Sequence, residues 1–470
     1  MGIAVFRFAR EFILTSAVLT GALAPAAAQE GFAEAFIAAM SSAPPSAGAS
    51  LAEARLAADP DDRTARFALG TAQFLSAVEA LGQDLYRYGF TTERLTTAAA
   101  VGGLGIGLPS IPVPPNPSPE PVTFAALQHV LAEFGDRLMR AEATLAAVAP
   151  GPVLLPLDLV AIRLDMNADG AISDDEAIGP LLRAALGIEF PRGVSTFHFD
   201  ESDVFWLRGY CHLLAGLTDF LLAHDWSLAL EKTMHNYFPK APLVSAPLAR
   251  ELDGQLARLN ESGPAKSFFD VYGYYTADPY DPLYEEWVLS EEGRRQQDFE
   301  RVQIAILGGA IADALAFVHL AHWPVIVPER MRSSREHLLQ MIAMSRENWA
   351  SILSETDDDR EWVPGPEQTN WVPRMVVWPS TVEGWNLFLD QFEAVLEGRL
   401  LIPHWRFDRE RGLNVRRMFE EPRGFDPVML LQGFDALPYL EKGPLAVDAT
   451  WDTAFMILSR GFLAYFIWFN

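Results

Sequence analysis

FWLRGYCHLLAGLTDFLLAHDW, residues 205–226, decides the fold. The stretch is too long for a strand, and its apolar side chains fall on most sides of a helical wheel rather than along one stripe. A helix of that kind must be enclosed by other elements, so it is expected at the centre of a multi-helix structure. Its polar exceptions are ordered: Arg208, His212 and Asp219 stand at i, i+4 and i+11 and line one face. Buried charges require partners, so the three predict an ion-pair network with neighbouring helices. Catalytic use of the same groups stays open, because both roles perturb titratable side chains. Cys211, the chain's single cysteine, lies in this apolar setting and reads as a small buried hydrophobe. With one cysteine there is no internal disulfide framework, and stability has to come from the core and from any bound metal.

Outward from this helix the pattern stays helical. Residues 29–100, 123–148, 201–237, 297–322, 332–354 and 380–396 carry helical periodicity. The fold class is therefore all-α, with multi-helix domains joined by Pro/Trp-rich loops. In the first of these stretches, the Asp59-Pro60 start followed by Ala65, Leu69 and Gly70 resembles the first helix of a tetratricopeptide repeat. No second copy follows at the required period, and an ordinary amphipathic helix is the expectation. VGGLGIGLPSIPVPPNPSPEPV, residues 101–122, has four glycines and seven prolines and predicts a loop between helical blocks. It lacks the Gly-Lys-Ser/Thr and the helix start that phosphate binding needs. IAILGGAIADALAFVHL, residues 304–320, approaches membrane-spanning length. Asp313 interrupts it, so it predicts a buried helix and no membrane span in the mature chain. Short strands are expected only in PRMVVWPS (373–380) and RLLIPHWRF (399–407). Alternating patterns are too scarce for a large sheet or an outer-membrane barrel.

DMNADGAISDDE, residues 165–176, gathers oxygen-bearing side chains around one glycine. The spacing matches D-x-[DN]-x-[DN]-G-x5-E at every defined place. Asp165, Asn167 and Asp169 take the first three donor positions, and Gly170 sits where the chain must turn with positive φ. Ala171 offers its carbonyl, Ser173 can hold a ligand water, and Glu176 can give both carboxylate oxygens. Ile172 is expected to anchor the loop in the core. These twelve residues resemble the EF-hand calcium-binding loop, and the resemblance implies a single Ca²⁺ site with these six residues as ligands. Hard Ca²⁺ takes about 6–8 oxygens, and the absence of Cys and His from the loop disfavours zinc and copper. Outside the twelve residues the likeness fades. PLDLVAIRL allows an entering helix of only about two turns, and Gly179-Pro180 should end the exiting one. No second loop follows: DPYDPLYEEW (278–287) and SETDDDREW (354–362) are acidic but lack the glycine and the spacing. Ser173 to Glu176 also forms a capping box, and the two roles are compatible.

MGIAVFRFAREFILTSAVLTGALAPAAAQ opens with arginines, continues with a short apolar run and reaches Ala26-Ala27-Ala28. Residues 1–28 are expected to be a secretory signal cut after Ala28, which places the mature chain in the periplasm or outside the cell. The apolar run falls short of the ~20 residues a span requires. The formal net charge of −26 repels phosphate backbones and anionic lipids, which excludes nucleic acid as an expected partner and favours cations. The expected organisation is a signal at 1–28, an N-terminal helical block at 29–150, the calcium-binding segment at 151–190 and a C-terminal helical domain at 191–470.

Two further groups remain. His319 and His322 share a helix face with Asp313 upstream. Core or interface histidines are the expectation, with a metal pair as the alternative. EWVPGPEQTNWVPRMVVWP repeats Trp-Val-Pro at Trp362 and Trp371 and adds Trp378. These tryptophans are expected to seal a core edge, with a ligand-stacking groove as the alternative. No catalytic motif marks a nucleophile beside a base. The expected function is structural calcium binding by an exported helical protein. The alternatives are an exported enzyme using the 208–219 and 313–322 helices, or a helical scaffold for envelope partners.

Overall fold

The computed structural model describes residues 31–92, 113–179, 182, 190, 195–240, 246–262, 266–273, 281–372, 376–408, 410–446 and 468–469. The signal segment 1–28, the Gly-rich half of the 101–122 loop and most of the aromatic C-terminal tail lie outside these residues. Among the described residues the chain is mainly helical: α1 (31–42), α2 (Pro45–Ala58), α3 (Arg63–Arg87), α4 (Phe124–Ala146), α5 (Glu201–Leu222), α6 (Ser227–Thr233), α7 (Ala246–Ser262), α8 (Phe268–Tyr272), α9 (Pro282–Leu289), α10 (Glu291–His319), α11 (Pro328–Ile352), α12 (Pro379–Leu396), α13 (Val415–Glu420) and α14 (Pro427–Gln432). Two small antiparallel sheets complete it: β1 (Leu155–Asp158) with β2 (Thr196–Phe199), and β3 (Ile402–Pro403), β4 (Arg411–Leu413) and β5 (Leu440–Lys442) in sequential order.

Helix starts follow local chemistry. The Asp62 carboxylate accepts from the Ala65 N–H at 2.9 Å. The Thr123 hydroxyl accepts from the Ala126 N–H at 3.1 Å. Pro328 and Pro379 open α11 and α12, where a missing N–H costs nothing. The 201–237 block divides into α5, α6 and a 3₁₀ turn at Met234–Asn236.

α5 is the central helix. It packs against α11 on one side and α4 on another, and α3 and α2 extend the stack beyond α4. α5 and α11 run antiparallel, since Asp219 meets Arg330, Gly216 meets Ser334 and His212 meets His337. Their approach is close at Gly216, where a Cβ would stand 3.3 Å from both the Ser334 carbonyl oxygen and the His337 Cβ. The Ser334 hydroxyl donates to the Gly216 carbonyl at 2.7 Å. One buried cluster joins Phe67 of α3, Leu155 of β1, Phe197 of β2, Cys211 of α5, Trp349 of α11 and Trp385 of α12. That single core draws on all three stretches 29–150, 151–190 and 191–470.

Several expectations are corrected. PLDLVAIRL forms no entering helix: Leu155–Asp158 pairs with β2, and residues 159–161 turn. Alternating Leu155 and Leu157 bury one strand face, so a period of two overrides the short helical pattern. The 304–320 segment is helical but not buried. Ile304 is 70 % and Leu315 67 % exposed, and the helix is long and apolar enough to cross a membrane. α7 covers part of its circumference through Leu259, Ile306 and their neighbours, and α9 and α6 touch it elsewhere. PRMVVWPS has no strand among its described residues, whereas RLLIPHWRF supplies β3.

Trp385 is fully buried, donates from Nε1 to the Ser345 hydroxyl at 3.0 Å and meets the Phe469 ring edge-on. Replacing it with alanine opens a large cavity, and Trp385→Ala is expected to lower stability by about 3–5 kcal/mol, read as a shifted denaturation midpoint with unchanged m-value.

Candidate metal centre

The 165–176 loop is suspended between the core and α3. Ile162, Leu164 and Met166 are buried in the main core, while Ile172 is only half-buried. The anchor is therefore Met166, not Ile172: it fills the space beside Gly82 of α3, where any Cβ would collide with its sulfur. Across the loop mouth the Leu164 N–H donates to the Glu176 carbonyl at 3.0 Å, and the Ile178 N–H donates to the Ile162 carbonyl at 3.0 Å. This short backbone ladder holds positions 1 and 12 of the loop together.

Gly170 has φ +79°, the left-handed conformation its place in the motif requires. Asp165 points inward. Its Oδ1 accepts from the Asp169 N–H at 3.1 Å and its Oδ2 from the Gly170 N–H at 3.0 Å. Asn167 Oδ1 accepts from the same Asp169 N–H at 2.8 Å, and Asp169 Oδ1 accepts from the Ala171 N–H at 2.8 Å. Glu176 ends a single 3₁₀ turn, Asp174–Glu176. Its Oε2 accepts from the Ser173 N–H and hydroxyl, both at 2.9 Å, and its Oε1 from the Asn167 N–H at 3.3 Å. Asp165 is 6 % and Glu176 3 % exposed. The capping box and the donor loop are thus the same structure. Asp174 turns outward to Arg163, 3.0 Å away.

Among the described residues, no arginine or lysine pairs with Asp165, Asp169 or Glu176. A fourth carboxylate that the motif does not include stands behind them. Glu79 and Gln83, one turn apart on α3, grip the backbone of Asp165: the Asp165 N–H donates to Glu79 Oε2 at 3.2 Å, and Gln83 Nε2 donates to the Asp165 carbonyl at 2.8 Å. Burial pushes the Glu79 carboxyl up to about 7; the Asp165 N–H opposes the shift, and the neighbouring Asp165 and Glu176 charges add to it. The donor set is all oxygen and anionic, which fits a hard divalent cation.

A second gathering of carboxylates has no motif. Asp200 at the N-cap of α5, Glu355 just beyond α11 and Glu361 bring oxygens within 4.8 Å of one another. The His198 N–H donates to the Arg360 carbonyl at 2.8 Å and so ties the 355–361 segment to β2.

Arg208, His212 and Asp219 form the expected network. Arg208 pairs with Glu142 of α4 at 2.9 Å, and His212 Nε2 lies 3.6 Å from the same carboxylate. His212 Nδ1 meets His337 Nδ1 at 3.0 Å, and Asp219 takes Arg330 at 2.5 Å with His337 Nε2 at 3.8 Å. Asp313 engages elsewhere, with His235 at 3.2 Å and Asn236 at 2.8 Å. Burial raises the Asp313 carboxyl, but these two hydrogen bonds outweigh it and hold the group low. Asp313 lines a cavity of about 520 Å³ together with Phe90, Tyr237 and Phe317, and no residue of 208–219 lines it. The two groups do not converge on one cleft.

His319 and His322 are exposed and form no ligand pair; His322 Nδ1 instead sits 3.2 Å from the His319 carbonyl. Trp362 is buried among Phe197, Phe199 and Trp206, and its carbonyl accepts from Trp468 Nε1 at 3.0 Å. It seals the core, so no aromatic groove joins it to Trp371. Trp378 is exposed.

Comparison with known proteins finds no matching family model, no similar curated protein and no similar solved structure.

The α4–α5–α11 network makes the fold acid-sensitive. Burial, then the neighbouring His212, holds the His337 imidazole below its ordinary 6.5, against Asp219, Glu336 and Glu142. The His212 hydrogen bond, outweighing burial, holds Glu142 below its ordinary 4.5. Both groups bind protons more weakly folded than unfolded. Their contribution is complete above the ordinary values and is lost as pH falls through the depressed ones. The melting temperature should therefore fall as pH drops below the ordinary 6.5 of His337, and again below the ordinary 4.5 of Glu142, and His337→Gln should flatten the first decline.

Proposed function

We propose that this chain is an exported calcium-binding protein, with Ca²⁺ held by Asp165, Asn167, Asp169, the Ala171 carbonyl, Ser173 and Glu176. The supporting observation is the buried, inward placement of Asp165 and Glu176 around the Gly170 turn, without a pairing cation among the described residues. Like charges held together out of water cost free energy unless an opposite charge joins them. Calcium supplies that charge and prefers a flexible, all-oxygen donor set.

The role is structural. On its entering side the loop follows β1 and a turn rather than a helix, so it lacks one of the two helices whose reorientation drives calcium sensors. Asp165 is bound to α3 through Glu79 and Gln83, and Met166 to the core. Ion binding therefore strengthens the join between the N-terminal helices and the β1–β2 pair. Export rests on residues 1–28, whose basic start, apolar run and Ala26-Ala27-Ala28 make a cleavable signal. It also sets the supply, since calcium is more plentiful outside the cytoplasm.

The capping and metal roles separate by substitution. Glu176→Gln preserves a capping box, which accepts Gln, but removes the anionic bidentate donor. Ser173→Ala removes the cap at a cost of about 1 kcal/mol while leaving the carboxylates in place. In calorimetric titration Glu176→Gln is expected to weaken calcium binding at this loop at least tenfold, and Ser173→Ala, which removes only the holder of a ligand water, to weaken it far less. With free Ca²⁺ at about 100 times Kd, the wild-type fold should gain about 2.7 kcal/mol. Identical titrations for wild type and Glu176→Gln would sink the assignment.

A further inference from the structure

We propose that Asp200, Glu355 and Glu361 form a second calcium site, independent of the 165–176 loop and without an EF-hand motif. Three segments build it. Asp200 caps α5, with its Oδ1 engaged by the Ser202 N–H and hydroxyl, both at 2.7 Å. Its side chain also accepts from the Asp203 N–H in the α5 capping box. Glu355 follows the last turn of α11; Gln368 Nε2 donates to its Oε2 at 3.0 Å, and its Oε1 is buried without a hydrogen-bond partner. Glu361 is 4 % exposed, and no hydrogen bond or ion pair reaches its carboxylate from the described residues.

A buried, unpartnered carboxylate oxygen, Glu355 Oε1, beside the unpaired Glu361 is the observation that raises this group above an ordinary acidic surface. Native structures rarely bury a charge unpaired, and here it faces two more of the same sign. Asp203, also buried, accepts from the Asp200 N–H at 3.0 Å and brings another carboxylate alongside. No arginine or lysine among the described residues pairs with any of the four. The helix ends do not resolve the conflict. The start of α5 contributes partial positive charge and the end of α11 partial negative charge at the same place, so the two oppose each other.

The spacing suits a hard ion. Ligand oxygens within 4.8 Å of one another can each reach a common centre at about 2.3–2.6 Å, the calcium–oxygen distance. All donors are oxygens in an irregular arrangement from three segments, which suits calcium better than the stricter octahedron of magnesium. The electrostatics agree. Burial, then Asp200, Glu355, Asp357 and Asp359 in turn, push the Glu361 carboxyl up to about 8. Burial and Asp200 push Glu355 up to about 7.

Equilibrium dialysis of the mature chain against CaCl₂, with elemental analysis, tests the proposal. Wild type is expected to hold two calcium ions per chain. Glu361→Gln should hold one fewer, and Glu355→Gln, at a half-exposed position where folding is safer, should match it. Because each substitution removes a repelled charge, both variants should melt higher than wild type in chelator while gaining less from added Ca²⁺. Glu176→Gln separates the two sites: it should lose a different ion, and Glu176→Gln/Glu361→Gln should hold none. If Glu361→Gln and Glu355→Gln each bind as many ions as wild type, the second site is overturned, whatever Glu176→Gln shows. If Glu361→Gln loses an ion and Glu176→Gln does not, the second site stands and the loop assignment falls.

Discussion

A helix with apolar side chains on nearly every face has to be surrounded, and the enclosure of α5 organises this molecule. α4 and α11 close two sides, α3 and α2 build outward from α4, and the Trp349–Trp385–Phe469 cluster fills the space beyond α11. Arg208, His212 and Asp219 of α5 are tolerated because each meets a partner on a facing helix: Arg208 with Glu142, His212 with Glu142 and His337, Asp219 with Arg330. Six side chains from three helices satisfy one another in a continuous seam. Such a seam adds little net stability compared with a packed apolar one, but it penalises any shift in helix register.

The same helix positions both carboxylate clusters. α5 begins at Asp200, directly after β2, and β2 is paired with β1. β1 leads into the 165–176 loop, whereas β2 leads into Asp200, so the two clusters leave the ribbon at opposite ends. Antiparallel packing returns the end of α11 to the start of α5 and sets Glu355 beside Asp200. A chain with net charge −26 thus concentrates buried negative charge where helices and strands meet. Divalent cations at those junctions would convert repulsion into cross-links, taking the place that disulfides hold in many exported proteins.

The helical framework was legible because its signals are local. Asp62, Thr123, Pro328 and Pro379 sit where helices start, and the wheel of residues 205–226 announced the centre. The turn of the 165–176 loop was legible for the same reason: Gly170 with its positive φ, and the Asp165 and Glu176 side chains that gather the loop's N–H groups, lie within twelve residues. What the sequence hid depends on distant partners. Glu79 is 86 residues from Asp165, and only the packing of α3 brings it behind the loop. Its one local trace is the Glu79/Gln83 pair, a polar couple one turn apart on a helix with buried faces. The acidic run at 354–362 is visible in one dimension, but Asp200 comes from across the fold. PLDLVAIRL misled because a short apolar run does not distinguish strand from helix. Residues 304–320 misled because hydrophobicity measures what a helix could bury, not whether neighbours exist to bury it.

X-ray diffraction from crystals grown with calcium, collected where calcium scatters anomalously, addresses the loop most directly. An anomalous peak enclosed by the carboxylates of Asp165, Asp169 and Glu176 and the Ala171 carbonyl is the expected result. A map without that peak, with Glu176 still bonded only to Ser173 and Asn167, would contradict calcium binding and reduce the loop to a helix cap.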